Sequence, residues 1–283
     1  MRALAWVCAF TLLAGSALAA DQRVRFDSLD QADGKPVPLD GHWFPAPADA
    51  PAPALVLLHG CGGAFDKQRR LATRYREMAQ MLNAQGWSAL VLDSLGPRGE
   101  RELCTQRIGT RAITMTQRRR DALAALNWLA TQPGVDRERL GLIGWSNGGS
   151  TVLASSNLNN AEVAAAALRP RALLAFYPGC EADLKRGYSP SAPLQMLVGG
   201  ADDWTAAAPC EALAAADVKG RIAVRTYPGA YHGFDGTDPV KLRKDVPNGV
   251  HPGAGVHVGG NPEAREQSRQ QALDFLHTQF DRR

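Results

Sequence analysis

Short apolar runs alternate with longer mixed segments through most of the chain. The apolar runs are bounded by turn-forming residues, as buried strands are, and lie at residues 55–58, 87–92, 140–143, 172–176, 194–198 and 222–226. Helices are predicted between and after them, at residues 68–84, 114–130, 206–216 and 263–280. In the first of these helices apolar side chains recur at helical spacing, and Gly86 follows its last turn as a stop. The alternation predicts an α/β fold with a mostly parallel central sheet and helices on both faces.

Some segments fall outside this alternation. Residues 23–29 and 37–44 are predicted to form an antiparallel hairpin around the turn-prone residues 33–36, and residues 45–53, rich in alanine and proline, form a surface connection. Residues 233–260 are rich in glycine and proline and too long for a simple connector. They form either an active-site loop or a loose surface excursion, and the sequence favours neither.

The composition is that of a globular protein. The chain has 283 residues, of which 45% are hydrophobic and 21% charged, and this suits one large α/β domain, although length alone would also permit two. We see no internal repeat and no domain boundary, so a single domain over residues 21–283 is predicted. The formal net charge of +4 is too small to imply a nucleic-acid partner, and the sequence carries no signal for an oligomeric state.

Residues 1–20 have the pattern of a secretory signal peptide. Arg2 precedes an apolar stretch at residues 3–14, which small residues follow. The apolar core is shorter than the roughly 20 residues that span a bilayer, and Ser16 stands where a lipoprotein signal needs cysteine. Cleavage after Ala19 or Ala20 would release a periplasmic or secreted protein that has no membrane partner.

The number of cysteines fits export. Cys8 belongs to the leader, and the four that remain are Cys61, Cys104, Cys180 and Cys210. An even number in an oxidising compartment makes two disulfides plausible, and free buried thiols are the alternative. Three pairings exist. We favour Cys61 with Cys104 and Cys180 with Cys210, because each pair would join loops that follow strands on the same edge of the sheet.

The most informative motif of the chain is Gly-Trp-Ser-Asn-Gly at residues 144–148. It directly follows an apolar strand and precedes a segment that can start a helix. In such a strand–turn–helix the central Ser146 sits in a strained backbone conformation, and Gly144 and Gly148 remove side chains that would collide. The turn exposes the serine hydroxyl above the carboxyl ends of the strands, where the helix start aims N–H groups at the same point. Ser146 is therefore the candidate nucleophile.

A serine nucleophile needs a base and a group that orients the base. His232 follows the last predicted sheet strand, where a short loop would return it over the carboxyl edge of the sheet. Four other histidines lack that position and fit surface or core roles, namely His42, His251, His257 and His277. Asp202, just beyond another strand, is the candidate acid, with Asp203 as the alternative; one of the two could instead cap the following helix. The order Ser146, Asp202, His232 is that of α/β-hydrolase triads.

Attack by a serine on a carbonyl group creates a negatively charged oxygen, the oxyanion, which N–H groups stabilise. One donor lies at the start of the helix after Ser146, and this fold takes the second from the loop after an early strand. Residues 59–63, His-Gly-Cys-Gly-Gly, form a glycine-rich loop there. The backbone amides of Cys61 and Asn147 are the predicted donors, with Gly62 as an alternative. The turn at residues 144–148, a nucleophile elbow, already holds a serine, so Cys61 is not needed as a nucleophile. His59 is predicted to be structural. Such a mechanism requires no metal and no organic cofactor.

Five further side chains are open to two interpretations. The aromatic residues Trp145, Trp204, Tyr231 and Phe234 either line an apolar pocket or pack in the core. Arg98 lies in the loop after a predicted strand and either meets an anionic substrate or, as the simpler interpretation, is a surface or ion-paired arginine. None of the five defines a substrate.

Together these motifs resemble those of the dienelactone hydrolase family of α/β-hydrolases, in particular its exported members with His-Gly-Cys-Gly-Gly. The similarity runs from about residue 54 to the C-terminus, with matching pieces at residues 59–63, 93–99, 144–149, 177–180, the Asp202 loop and residues 231–234. The resemblance implies the α/β-hydrolase fold and a hydrolase of small molecules. It departs at the nucleophile, because true dienelactone hydrolases carry cysteine where this chain has Ser146, so the family says little about the substrate.

Three functions are compatible with these residues. The first is a serine hydrolase that cleaves a small-molecule carboxylic ester or lactone through an acyl-enzyme. The second is a serine peptidase similar to the prolyl oligopeptidase group, which shares the elbow and the triad order but usually carries an added propeller or lid domain. The third is a catalytically lapsed binding protein, against which the complete set of triad residues argues. The sequence favours the first.

Overall fold

The computed structural model describes residues 21–47 and 50–281, so the predicted signal peptide lies outside the described residues. Eight strands form one sheet: β1 (Gln22–Ala32), β2 (Lys35–Phe44), β3 (Ala52–Leu58), β4 (Ser88–Asp93), β5 (Val135–Trp145), β6 (Ala172–Phe176), β7 (Leu194–Gly199) and β8 (Ile222–Tyr227). Their order across the sheet is β1-β2-β4-β3-β5-β6-β7-β8. The β1–β2 and β2–β4 pairs are antiparallel and the other neighbours are parallel. The predicted α/β fold with a mostly parallel sheet is confirmed.

Helices cover the two faces of the sheet. They are α1 (Thr73–Asn83), α2 (Met115–Leu129), α3 (Asn147–Ala154), α4 (Ala161–Ala164), α5 (Glu181–Arg186), α6 (Ala207–Ala215) and α7 (Pro262–Phe280), with a short 3-10 helix at Gly96–Arg98. The three shorter helices α3, α4 and α5 were not delimited by the sequence pattern. Within the described residues, no helix combines the length and the apolar character needed to cross a bilayer.

The core consists of two apolar layers, one on each face of the sheet. In β3 the side chains of Leu55 and Leu57 pack in the layer formed with α1 and α7, whereas Val56 and Leu58 pack in the layer formed with α2, α3 and α6. All four are fully buried. A strand whose side chains are buried on both faces is apolar at nearly every position, which explains the near-continuous apolar runs in the sequence.

One predicted helix starts later than expected. The sequence pattern predicts a helix from residue 68, but α1 begins at Thr73. The reason is a tight turn, in which one Asp66 carboxylate oxygen accepts hydrogen bonds from the amides of Gln68 and Arg70, both 2.9 Å long. Arg69 between them has a left-handed backbone with φ of 61°. A side chain that satisfies these amides competes with the helix for them, so the helix cannot extend back through the turn.

Residues 233–260 pack against the loops that follow β7 and β8. They contain a small antiparallel hairpin of β9 (Lys241–Arg243) and β10 (Val256–Val258) that the sequence did not predict. Val246 and Val256 are buried. His232 forms a parallel β-bridge with Val258 and accepts a 3.0 Å hydrogen bond from the amide of Gly259 at its carbonyl oxygen. Of the two interpretations of this segment, the packing favours a position beside the candidate base.

Candidate active site

The turn between β5 and α3 has the geometry of a nucleophile elbow. Ser146 has φ of 54° and ψ of −118°, a conformation that L-residues rarely adopt. A Cβ atom at Gly144 would lie 2.1 Å from the carbonyl oxygen of Gly148, and one at Gly148 would lie 1.9 Å from the carbonyl oxygen of Leu58. Neither contact leaves room for any side chain. The two glycines therefore permit the turn for the steric reason that the sequence predicts.

Three parallel strands bring the candidate triad to one edge of the sheet. Ser146 follows β5, Asp202 follows β7 and His232 follows β8. His232 Nε2 lies 2.8 Å from Ser146 Oγ, and His232 Nδ1 lies 2.8 Å from Asp202 Oδ2. The side chains of His232 and Asp202 are 4% and 0% exposed. If the imidazole Nδ1 donates to the carboxylate, Nε2 is free to accept the serine proton.

The two neighbouring carboxylates have different partners. Asp202 Oδ1 accepts hydrogen bonds from the amides of Trp204 and Thr205 at 2.8 and 2.9 Å, and its Oδ2 lies 3.1 Å from the Thr205 hydroxyl. Asp203 instead lies 2.7 Å from His257 Nδ1 and accepts from the His257 amide at 2.8 Å. Asp202 is thus the carboxylate that contacts His232 through Oδ2, while two backbone amides donate to its Oδ1.

Aromatic rings enclose the His232 imidazole. The rings of Tyr177 and Trp204 each lie 4.6 Å from the imidazole, centroid to centroid. The Tyr177 hydroxyl donates to Asp235 Oδ1 at 2.6 Å, and Trp145 Nε1 donates to Asp235 Oδ2 at 2.9 Å. Burial raises the pKa of Tyr177 well above its ordinary value, so the phenol stays protonated as the donor. Asp235 thereby fastens the His232 loop to the elbow strand.

Sequence reasoning did not find Thr205, Tyr177 or Asp235 as parts of this site. Asp235 and Thr205 lie three residues after His232 and Asp202, so proximity to the triad residues was the available signal. Tyr177 gave a second signal, because it belongs to one of the segments that resemble the family, but no role followed from that resemblance. Their contacts become visible only when the strands are assembled.

The two predicted oxyanion donors come from different segments, Asn147 from the start of α3 and Cys61 from the loop after β3. Asn147 is the first residue of α3, where its amide faces out of the helix with the positive end of the helix dipole. Among the described residues, the amides of Cys61 and Asn147 have no hydrogen-bond acceptor. The same is true of Gly62, so this alternative stays open. The Cys61 carbonyl oxygen accepts from the Leu103 amide at 2.7 Å, which holds the loop in place.

His59 has contacts of a structural residue. It is fully buried, its Nδ1 donates to the Gly60 carbonyl oxygen at 2.7 Å, and its Nε2 accepts from the Ser94 amide at 3.2 Å. Burial, with a smaller contribution from the nearby Arg118 cation, lowers the pKa of His59 well below its ordinary value. The imidazole is therefore neutral and occupied at both nitrogens, and the loop begins from a fixed point.

The side chains left open by the sequence divide between core and site. Trp145 and Phe234 are fully buried, as core residues are, whereas Trp204 and Tyr231 are partly exposed. Arg98 donates to two carboxylates, Asp30 at 2.9 Å and Asp121 at 2.8 Å. Arg98 is thus the ion-paired arginine of the simpler interpretation.

Within residues 21–47 and 50–281, no cluster of three or more His, Cys, Asp or Glu is arranged to hold a metal ion.

Two disulfides link the loops that the sequence favoured as pairs. Cys61 is bonded to Cys104, 43 residues along the chain, and Cys180 is bonded to Cys210, 30 residues along. The first bond ties the glycine-rich loop to the long segment that follows β4. The second joins the loop after β6 to helix α6. Only the first is attached to a candidate oxyanion donor.

Comparison with known proteins identifies the family of this chain. The model of the dienelactone hydrolase family matches residues 42–280. The chain belongs to the dienelactone hydrolase family. A Mycobacterium tuberculosis protein that bears the name of a phosphoribosyl transferase is 29% identical to this dienelactone hydrolase family member over 223 residues, which cover 77% of this chain and 44% of that protein. The chain thus spans less than half the length of the curated relatives it matches.

Solved structures share the fold of this dienelactone hydrolase family member. A dienelactone hydrolase-like promiscuous phosphotriesterase from metagenomic libraries has a TM-score of 0.63 at 22% identity, covering 93% of this chain and 100% of that one. Esterase 2 of Thermogutta terrifontis has a TM-score of 0.59 at 17% identity, covering 93% and 95%. A puromycin-hydrolysing peptidase of Mycobacterium tuberculosis has a TM-score of 0.63 at 17% identity, covering 95% and 41%. These likenesses extend over nearly the whole chain.

Proposed function

We propose that this protein is a serine hydrolase that cleaves a carboxylic ester or lactone of a small molecule through an acyl-enzyme. The observation that carries the proposal is the continuous chain of 2.8 Å contacts from Ser146 Oγ through the His232 imidazole to Asp202 Oδ2. Membership in a family of hydrolases supports the reaction class. The elbow geometry of Ser146 supports the serine as nucleophile.

Each residue has a defined task in the proposed reaction. Ser146 Oγ attacks the carbonyl carbon while His232 Nε2 accepts its proton, and the resulting oxyanion is bound by the amides of Cys61 and Asn147. When the tetrahedral intermediate collapses, His232 returns the proton to the leaving alcohol and the acyl group remains on the serine. Water then attacks the acyl-enzyme with the same imidazole as base, which releases the acid and restores the hydroxyl. Asp202 holds the imidazole in the required tautomer throughout.

We also propose that residues 1–20 direct export and that residues 21–283 form one mature domain in the periplasm or outside the cell. Two disulfides support an oxidising compartment, because cytosolic thiols are normally kept reduced. The order of Arg2, the apolar stretch and the small residues supports the leader.

Fluorophosphonate labelling tests the nucleophile directly. The purified mature protein should form a covalent adduct on the peptide that contains Ser146, because only an activated serine reacts at a useful rate. Heat-denatured protein and the His232→Ala variant are the controls, and both should remain unlabelled. Absence of the adduct from the native protein would leave the chain as a binding protein and reject the mechanism.

A substrate panel then tests the bond. Short p-nitrophenyl esters and simple lactones should be turned over, and aminoacyl p-nitroanilides should not. Turnover of the anilides in preference to the esters would replace the proposal with a peptidase. The panel uses unlabelled protein, and a separate aliquot of the same preparation is titrated with the fluorophosphonate so that the concentration of active sites is known for every substrate.

Removing the two disulfides separately is expected to have different effects. Replacing Cys61 and Cys104 by serine, or Cys180 and Cys210 by serine, should lower the free energy of unfolding by about 2–5 kcal/mol in either case, because each bond restricts the unfolded chain. Only the first pair releases the Cys61 amide, so kcat for an ester should fall by about tenfold or more there and stay within about twofold in the second. Urea unfolding and steady-state kinetics measure the two quantities. Equal kcat losses in both pairs would contradict this division.

A further inference from the structure

A buried arginine connects the two segments that carry the candidate oxyanion donors. Arg118 is in the first turn of α2 and its side chain is completely buried. One terminal nitrogen donates to the side-chain carbonyl oxygen of Asn147 at 2.8 Å. The other donates to the backbone carbonyl oxygen of His59, also at 2.8 Å. The guanidinium therefore joins the residue that follows the candidate nucleophile to the residue that begins the glycine-rich loop.

The two segments joined by Arg118 are already in contact. A Cβ atom at Gly148 would lie 1.9 Å from the Leu58 carbonyl oxygen and 2.6 Å from that of His59, so the backbone of the elbow helix packs directly on the start of the loop. The distance between the Cys61 and Asn147 amides depends on how these segments are placed. A planar guanidinium with two fixed donors is well suited to set such a distance, since both acceptors must lie in its plane.

The burial of this cation calls for an explanation. Removing a guanidinium from water costs free energy, and an apolar side chain of similar size would fill the same space without that cost. Neither hydrogen-bond acceptor of Arg118 is a carboxylate, and among the described residues its Nε has no acceptor. Burial lowers the pKa of Arg118 to about 10, the nearby Asp121 opposing the shift, so the side chain is still a cation at neutral pH.

We propose that Arg118 is a positioning residue that holds the Cys61 and Asn147 amides at the separation required to bind a tetrahedral oxyanion. This inference rests on the proposed serine hydrolase function. Donors that are fixed before the reaction stabilise developing charge without having to reorganise. Arg118 acts through the two segments it joins, and its own guanidinium does not touch the reacting atoms. Its positive charge lies behind the same donors and adds to the field at the oxyanion.

The Arg118→Met variant keeps the volume of the side chain and removes both donors. It should lower kcat for an ester about 10- to 100-fold with KM changed less than about threefold, because the interaction it weakens strengthens in the transition state. The inhibition constant of a matching trifluoromethyl ketone, which forms a tetrahedral adduct on the serine, should rise by the same factor as kcat/KM falls. Arg119→Met is the matched control, since Arg119 pairs with Glu162 instead and its loss should leave kcat within about twofold.

A structural role alone predicts a different result. If Arg118 only stabilised the fold, kcat per fluorophosphonate-titrated site would be unchanged and only the number of active sites would fall. That outcome, or a folded Arg118→Met variant with kcat within about twofold of the unchanged protein, overturns the proposal. If Arg118→Met does not fold, Arg118→Lys decides, because it keeps the charge but has a single nitrogen for two acceptors; full activity of Arg118→Lys overturns the proposal as well.

The Asn147→Ala variant tests the route of the effect. It keeps the backbone amide and removes only the oxygen that Arg118 binds. Its kcat should fall by about 5- to 20-fold, and combining it with Arg118→Met should add little, since both changes break the same connection. Fully additive losses would show that the two residues act separately and would reject the proposed route.

The labelling experiment separates failure of the positioning role from failure of the proposed function. If the unchanged protein takes up no fluorophosphonate, the proposed function fails. If it is labelled and Arg118→Met is fully active, only the positioning role fails.

Discussion

The Ser146→Ala variant is expected to lose about 10⁶-fold in kcat for a short acyl ester, to the level of the residual background. Alanine removes the only atom that can form the acyl-enzyme in the proposed reaction, while the elbow, the imidazole and the oxyanion donors stay in place. KM should change little, since the substrate still meets the same surface. Steady-state kinetics on protein purified from a host free of other esterases measures the loss, with fluorophosphonate uptake as a second readout.

Ser155→Ala is the matched control for this variant. Ser155 ends the same helix, it is fully buried, and among the described residues its hydroxyl has no hydrogen-bond partner. Its replacement should therefore leave both kcat and labelling unchanged. A Ser146→Ala protein that folds and retains more than about 1% of the activity would show that the chemistry does not pass through this serine.

The Asp202→Asn variant is expected to lower kcat by about 10⁴-fold with the fold retained. An amide at this position presents an N–H where the imidazole Nδ1 has its own, so the ring is driven towards the tautomer that cannot accept the serine proton. The substitution also leaves no negative charge beside the imidazolium that forms during the reaction. The hydrogen bonds from the Trp204 and Thr205 amides can still reach the remaining carbonyl oxygen, and these should preserve the loop.

Asp203→Asn distinguishes the acid from its neighbour. Asp203 holds His257 and the segment around β10, so its replacement should loosen that segment and reduce kcat by no more than about fivefold. A large loss in Asp203→Asn with normal activity in Asp202→Asn would exchange the roles assigned to the two carboxylates. Circular dichroism and thermal unfolding of both variants separate a chemical effect from a folding effect.

Most sheet strands could be predicted because they are buried on both faces. Such strands are apolar at nearly every position, and four of the runs have both ends within one residue of the observed bounds. The strand β3 starts three residues before its run, and β5 is extended by a polar N-terminal half that has no apolar signature. The predicted start of α1 was wrong because the Asp66 carboxylate accepts hydrogen bonds from the amides of Gln68 and Arg70, which holds this segment in a turn instead of a helix. The hairpin of β9 and β10 has only three residues in each strand, which is too short for periodicity to register.

The residues of the candidate site could be predicted from the sequence only where a short motif or the end of a strand marks their position. The elbow at Ser146 follows a strict pattern of strand, glycines and helix, and His232 could be placed from the end of the last strand. The choice between Asp202 and Asp203 was harder, because adjacent side chains of one loop differ only in the direction in which the chain turns. Arg118 could not be found at all: it lies in the amphipathic pattern of α2, and its two acceptors come from segments 29 and 59 residues away along the chain.

The aromatic walls around the imidazole have a consequence for the timing of the proposed reaction. Tyr177 and Trp204 face the ring at the same centroid distance of 4.6 Å, and Tyr177 is itself anchored to Asp235. One imidazole must serve two half-reactions, separated by departure of the alcohol and arrival of water. A ring confined in this way cannot swing out into solvent during that interval, so it is already aligned when the hydrolytic water enters.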